Sequence, residues 1–155
     1  MKCKKAAAVV VAGIIVFAFT MAAVAQERSW PESIDQYVGE AKKTVTVIDK
    51  ETFKKVLDKK GDIVILDVRE PDEFKAGHVP GAINIPRGLV EFRIWKAVAG
   101  YPTATNTGKK IYIYCASGGR AVLATKSLKQ VGFTDVTAVD MKFADWIKAS
   151  YPIER

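Results

Sequence analysis

From residue 44 onward the chain alternates between two patterns: short β-branched or continuous apolar runs, and stretches whose apolar residues recur at helical spacing. The run 44–48 predicts a first strand. Over 51–59, Phe53, Val56 and Leu57 share one helical face, and Gly61 closes the segment. Ile63, Val64, Ile65 and Leu66 are apolar without a break, as in a strand covered on both faces. A short helix is expected over 71–76, stopped by Gly77, and a brief strand over 82–85 before Pro86. Residues 89–98 read as an amphipathic helix with Leu89, Phe92, Ile94, Trp95 and Val98 apolar. Residues 101–109, rich in Pro, Thr, Asn and Gly, read as a loop. A strand over 111–114 runs directly into Cys115. The helix expected over 120–130 carries Val122, Leu123, Leu128 and Val131 as its apolar stripe and closes at Gly132. A strand over 136–139 and a last helix over 141–150, with Phe143, Trp146 and Ile147, complete the order. Strands separated by helices in this order join by right-handed crossovers into a mainly parallel sheet with helices on both faces, a three-layer α/β domain.

The beginning of the chain is patterned differently. Met1 to Lys5 make a basic start, residues 6–19 are apolar, and Ala23-Val24-Ala25 follows in the small-x-small arrangement of a cleavage site before Gln26. Residues 1–25 are therefore expected to be a secretory signal peptide, and the body of the protein to be periplasmic or secreted, without stable membrane association after cleavage. Left uncleaved, residues 6–25 are long enough to act instead as an N-terminal membrane anchor. Residues 26–43 are polar and mixed, with Trp30-Pro31 and Gly39 as breakers. They read as a linker with a short helical stretch around 34–41, which leaves 44–155 as the domain.

Composition narrows the chemistry. The 155 residues suit a single domain, and 49% hydrophobic with 26% charged residues suits a globular core. The formal charge is +7. Lys2, Lys4 and Lys5 belong to the expected signal, so 21 of the 24 basic residues face the 17 acids beyond it, leaving +4. Without a basic run this is a poor nucleic-acid footprint, and no nucleic-acid partner is expected. Cys3 and Cys115 are the two cysteines and His78 the one histidine. This set forms neither a disulfide framework nor a metal centre, so no metal and no cofactor is expected. Chemistry at Cys115 is then the chemistry of one thiol.

The informative stretch is Cys115-Ala116-Ser117-Gly118-Gly119-Arg120, set where a buried strand ends and a helix begins. Gly118 and Gly119 allow positive φ and let the backbone turn its N–H groups inward. Such a ring above a helix N-terminus is an anion nest, and its field favours the nucleophilic thiolate at Cys115. Arg120 adds a planar guanidinium suited to an oxyanion.

This loop resembles the active loop of the rhodanese (thiosulfate sulfurtransferase) family, a Cys and an Arg separated by four residues. The upstream half is similar too: Leu66-Asp67-Val68-Arg69-Glu70-Pro71, then Glu73-Phe74, then the run from Gly77-His78-Val79-Pro80-Gly81 to Asn84-Ile85-Pro86. The resemblance covers about 44–153. It implies a rhodanese-like domain with a central, mainly parallel five-stranded sheet, and a sulfurtransferase that carries sulfane sulfur as a Cys115 persulfide. The implied donor is a small sulfur anion such as thiosulfate or a persulfide, and the acceptor a thiol or cyanide. A sulfur-relay protein partner is also compatible. By position, the amides of Ala116, Ser117, Gly118, Gly119 and Arg120 would cradle the persulfide and the donor's sulfonate. Asp67 and Arg69 would orient the site, and His78 would fix the turn from Gly77 to Gly81. Met141-Lys142 and Ser150-Tyr151-Pro152 depart from the glycine-containing pattern common at those places in the family, which bears on the C-terminal helix. Phosphatases of the same fold use five residues between Cys and Arg, so a phosphatase or arsenate reductase is a weaker alternative. A non-catalytic binding or sulfur-carrier module is the other, with Trp30, Tyr37 and Tyr101 as aromatic docking candidates.

Overall fold

A computed structural model describes residues 30–101 and 106–155. The expected signal peptide and cleavage point, and residues 102–105 of the expected loop, lie outside the described residues. The elements belong to one compact unit, Ser33–Arg155, distinct from Met1–Glu32.

Five strands form one sheet: β1 (Thr46–Ile48), β2 (Val64–Asp67), β3 (Ile83–Asn84), β4 (Ile111–Tyr114) and β5 (Val136–Val139). Their order is β1-β5-β4-β2-β3, and every pairing is parallel. Among the described residues six α-helices accompany them: α1 (Ile34–Lys42), α2 (Lys50–Asp58), α3 (Pro71–Ala76), α4 (Val90–Ile94), α5 (Gly119–Gln130) and α6 (Phe143–Lys148). Side chains alternate across the central strand. Ile111 and Ile113 pack with Val90, Ile94, Ala121, Ala124 and Leu128 on one face. Tyr114 packs with Phe53, Phe143 and Trp146 on the other. The expected three layers are therefore present, with α4 and α5 on one side and α2 and α6 on the other.

The helical stretch expected around 34–41, within the residues read as a linker, is α1, whose Ala41 and Val38 pack with Val122, Leu123 and Ala138. Ser33 caps this helix by accepting the Gln36 N–H at 3.1 Å. The compact unit thus takes in this helix as well. The helix expected over 89–98 is broken into a 3₁₀ turn (Arg87–Leu89), α4, and a π-helical turn (Trp95–Ala99). The changes of pitch rotate the apolar stripe, so Phe92, assigned to it, is 80% exposed while Val90, Ile94 and Ala99 are buried. The last helix is shorter than expected, and Ile147 faces solvent.

Strand β4 lies between β2, which precedes it in the chain, and β5, which follows it. Connections leave the C-terminal ends of these strands in opposite directions and open a crevice there. Cys115 is the first residue beyond β4, at the mouth of that crevice.

Candidate functional site

Cys115 is a free thiol, fully buried at 0% exposure, and packs into the cluster formed by Leu66, Ile113, Ala121 and Ala124. Its Sγ accepts the Gly118 N–H at 3.1 Å. That bond curls the loop back on itself and needs Gly118 at φ 88° and ψ −36°, a conformation costly for any residue with a Cβ. Gly118 also lies close against Asp140, just after β5. A Cβ there would strike Asp140 Oδ1, whereas one on Gly119 would meet only Val38 of α1 at 3.6 Å. Asp140 is fixed by Lys42, whose Nζ donates to its Oδ2 at 2.6 Å, and by its own N–H to Ile48 O at 2.8 Å. The Phe143 N–H donates to Ala116 O at 2.9 Å and holds the loop's other shoulder. The N–H groups of Ser117, Gly119 and Arg120 find no acceptor among the described residues. They lie in the loop that carries the buried sulfur, at or beside the positive N-terminal end of α5.

Arg120 does not extend freely over the loop. Its Nη1 and Nη2 donate to Glu73 Oε2 and Oε1 at 2.9 and 3.1 Å, and Glu70 Oε1 stands 3.9 Å from Nη1. Its hydrogen bonds to the Glu73 carboxylate raise the Arg120 pKa, partial burial opposes this, and the charges of Glu73, Cys115 and Glu70 add to the rise. Glu73 is held below the usual carboxylate range, first by the hydrogen bond from Arg120.

Asp67 and Arg69 pair with each other beneath the site. Arg69 Nη2 donates to Asp67 Oδ2 at 2.6 Å, Arg69 Nε to Oδ1 at 3.1 Å, and the Arg69 backbone N–H to Oδ1 at 2.9 Å. Arg69 Nη2 also donates to Gly77 O at 2.8 Å, and the guanidinium lies 3.9 Å from the Phe143 ring centre. Burial works against the Arg69 charge, but the Asp67 bonds and charge outweigh it and the pKa is raised. The pair meets the active loop through Phe143, whose N–H bonds Ala116 O. Tyr114 accepts the Val79 N–H at 3.0 Å, and burial, then Asp67, push its phenol well above the ordinary range. His78 stands apart from the sulfur. Its ring stacks on Phe74 at 3.7 Å, its Nδ1 is 3.1 Å from Phe74 O, and its backbone pairs with Glu154 in an antiparallel bridge. Of the proposed aromatic docking residues, Tyr101 is exposed, and Tyr37 carries Lys126 Nζ 5.5 Å from its ring centre.

Two residues at the site escaped the sequence reading. Asp140 follows β5 at a strand C-terminal end, a position that is itself a signal. Glu73 stood in the quoted motif without a role.

The family model for the rhodanese-like domain matches residues 49–149. The chain belongs to the rhodanese-like family. It is 34% identical over 111 residues to the Bacillus subtilis protein YrkF, whose name proposes a sulfur-carrier role, an alignment covering 72% of this chain and 56% of that protein. It is 35% identical over 98 residues to the thiosulfate sulfurtransferase GlpE of Pseudomonas putida, covering 63% and 81%. The chain spans between 51% and 59% of the length of the first curated relatives it matches. Among solved structures, the polysulfide-sulfur transferase of Wolinella succinogenes is similar at a TM-score of 0.62 and 26% identity, covering 76% of this chain and 84% of that one. A Rhodopseudomonas palustris protein of unknown function, with a tyrosine phosphatase activity suggested for it, is similar at 0.69 and 28%, covering 83% and 99%.

Proposed function

We propose that the protein is a sulfurtransferase that moves sulfane sulfur from thiosulfate or a persulfide donor to a thiol or cyanide acceptor through a persulfide on Cys115. The observation that carries this reading is the buried Cys115 sulfur at the end of the central strand, bonded by the Gly118 N–H in a loop whose Ser117, Gly119 and Arg120 N–H groups find no acceptor among the described residues. With thiosulfate, the Cys115 thiolate attacks the outer sulfur, the donor's S–S bond breaks, and its electron pair leaves with sulfite. Attack by an acceptor on the outer persulfide sulfur then returns the thiolate. The loop amides of residues 116–120 neutralise the anionic sulfur in both steps, and no oxidant is consumed. Asp67 and Arg69 act as a support beneath the loop, and His78 as a brace of the turn. The reading includes export, with cleavage before Gln26 giving a periplasmic or secreted protein whose partners are small sulfur anions, thiols or a sulfur-relay protein.

The test is the intact mass of the purified protein before and after thiosulfate. A gain of one sulfur atom that cyanide or dithiothreitol removes, absent in Cys115→Ser, supports the reading. A protein that takes up no sulfur yet hydrolyses aryl phosphates would instead match the suggestion made for the Rhodopseudomonas protein. Stoichiometric loading without turnover would make it a carrier.

A further inference from the structure

Arg120 is the only charged residue of the loop 115–120, and its guanidinium is already engaged. Glu73 presents two oxygens to the two terminal nitrogens at 2.9 and 3.1 Å. A sulfonate would present the same kind of oxygens to the same fork. Nor is Glu73 free to swing aside. Its Oε2 also accepts the Glu70 N–H at 3.0 Å, closing the capping box at the first turn of α3. The far end of α3 is pinned by the Phe74–His78 stack and by Arg69 on Gly77 O. The carboxylate is therefore held at both its oxygens, and Glu70 Oε1 adds a second negative group 3.9 Å from Arg120 Nη1.

We propose that Glu73 is a specificity-determining residue, which by occupying the Arg120 fork disfavours sulfonate donors such as thiosulfate and favours small organic persulfides of low charge. This rests on the sulfur-transfer reading of Cys115. With a persulfide R–S–SH, the Cys115 thiolate attacks the outer sulfur, the donor's S–S bond breaks, and the electron pair leaves on RS⁻. Cys115 keeps the –S–SH group, and the oxidation level merely passes between sulfurs. Neither donor nor leaving group then needs Arg120. With thiosulfate both the donor and the departing sulfite are dianions, and both meet the Glu73 carboxylate at the cation that would hold them.

The experiment compares single-turnover loading of Cys115, followed by intact mass, with thiosulfate and with hydroxyethyl persulfide. Glu73→Gln keeps the side-chain length and an oxygen for the Glu70 N–H while removing the charge. The ratio of the thiosulfate to the persulfide second-order rate constant is expected to rise about fivefold to tenfold. Glu70→Gln, farther from the fork, should raise the same ratio by less, and it serves if the Glu73 variant folds poorly. An unchanged or lower ratio in a variant that loads from both donors overturns the role of Glu73 and leaves sulfur transfer standing. Failure of the wild-type protein to load from either donor removes both.

Discussion

Replacing Gly118 by alanine tests the loop at its most constrained point. The native backbone at φ 88° and ψ −36° lies in a region that residues with a Cβ occupy at a cost of about 1–3 kcal/mol. The added methyl would also strike Asp140 Oδ1. Asp140 cannot retreat through its backbone, because its N–H is bonded to Ile48 O at 2.8 Å. Its carboxylate can rotate away by giving up Lys42 at 2.6 Å, an exposed pair worth up to about 1 kcal/mol. Gly118→Ala should therefore destabilise the domain by about 2–4 kcal/mol, a fall in Tm of roughly 10 °C by circular dichroism. If the loop relieves itself by flipping to negative φ, the N–H now 3.1 Å from Cys115 Sγ turns away, and persulfide loading should drop at least about tenfold. Gly119→Ala is the control. That residue opens α5 without a positive φ, and its new Cβ would sit in ordinary contact with Val38, so stability should shift by less than about 1 kcal/mol. A Gly118→Ala protein that melts within two or three degrees of wild type and loads normally would refute this account of the loop.

Three further outcomes follow from the same contacts. Arg120→Lys keeps the charge but loses the fork; in the Glu73→Gln background, where the fork is open to a sulfonate, kcat/KM for thiosulfate should fall roughly tenfold to hundredfold, and with Glu73 in place it should fall by less; strictly additive changes would show that the two side chains do not act together. Asp67→Asn leaves the Arg69 guanidinium, 4% exposed, without its counter-charge, and should cost about 3–5 kcal/mol in urea unfolding; a loss under 1 kcal/mol would mean that the charge is compensated elsewhere. Because Arg120 lowers the folded-state pKa of Glu73, their pairing stabilises the fold above the unfolded value of about 4.5 and is lost as pH falls through the folded one; the acid limb of a Tm–pH profile should be shallower in Glu73→Gln, and superimposable profiles would contradict the pairing.

The parts of the fold legible in the sequence alone are those decided by local pattern and buried on two sides. The runs at Ile111–Tyr114 and Val136–Val139 coincide with their strands, and Pro71–Ala76 with its helix, because an apolar run or a proline at the first helical turn leaves little choice. Helix α1 was only partly legible. Its sequence is mostly polar, and the thin face of Val38 and Ala41 acquires meaning only when α5 and β5 lie beneath it. Phe92 was misplaced for a different reason. Counting at 3.6 residues per turn assumes a uniform helix, and the 3₁₀ and π turns on either side of α4 each change the phase of the count.

The candidate site divides along the same line. Cys115, the two glycines and Arg120 are contiguous, so the strand end, the positive φ and the helix start can be read from six neighbouring letters. What Arg120 binds at rest cannot be read there, because its partner lies 47 residues upstream in the chain and reaches it only once α3 and α5 share the rim of the crevice. A guanidinium beside a nest of amides promises affinity for an oxyanion only while no carboxylate of the protein itself occupies the fork. Here one does, at hydrogen-bonding distance through both oxygens and tied at its own base to the Glu70 N–H. The charge that a local reading assigns to the donor is thus already spoken for, and a donor that brings no second charge meets the least opposition at Cys115.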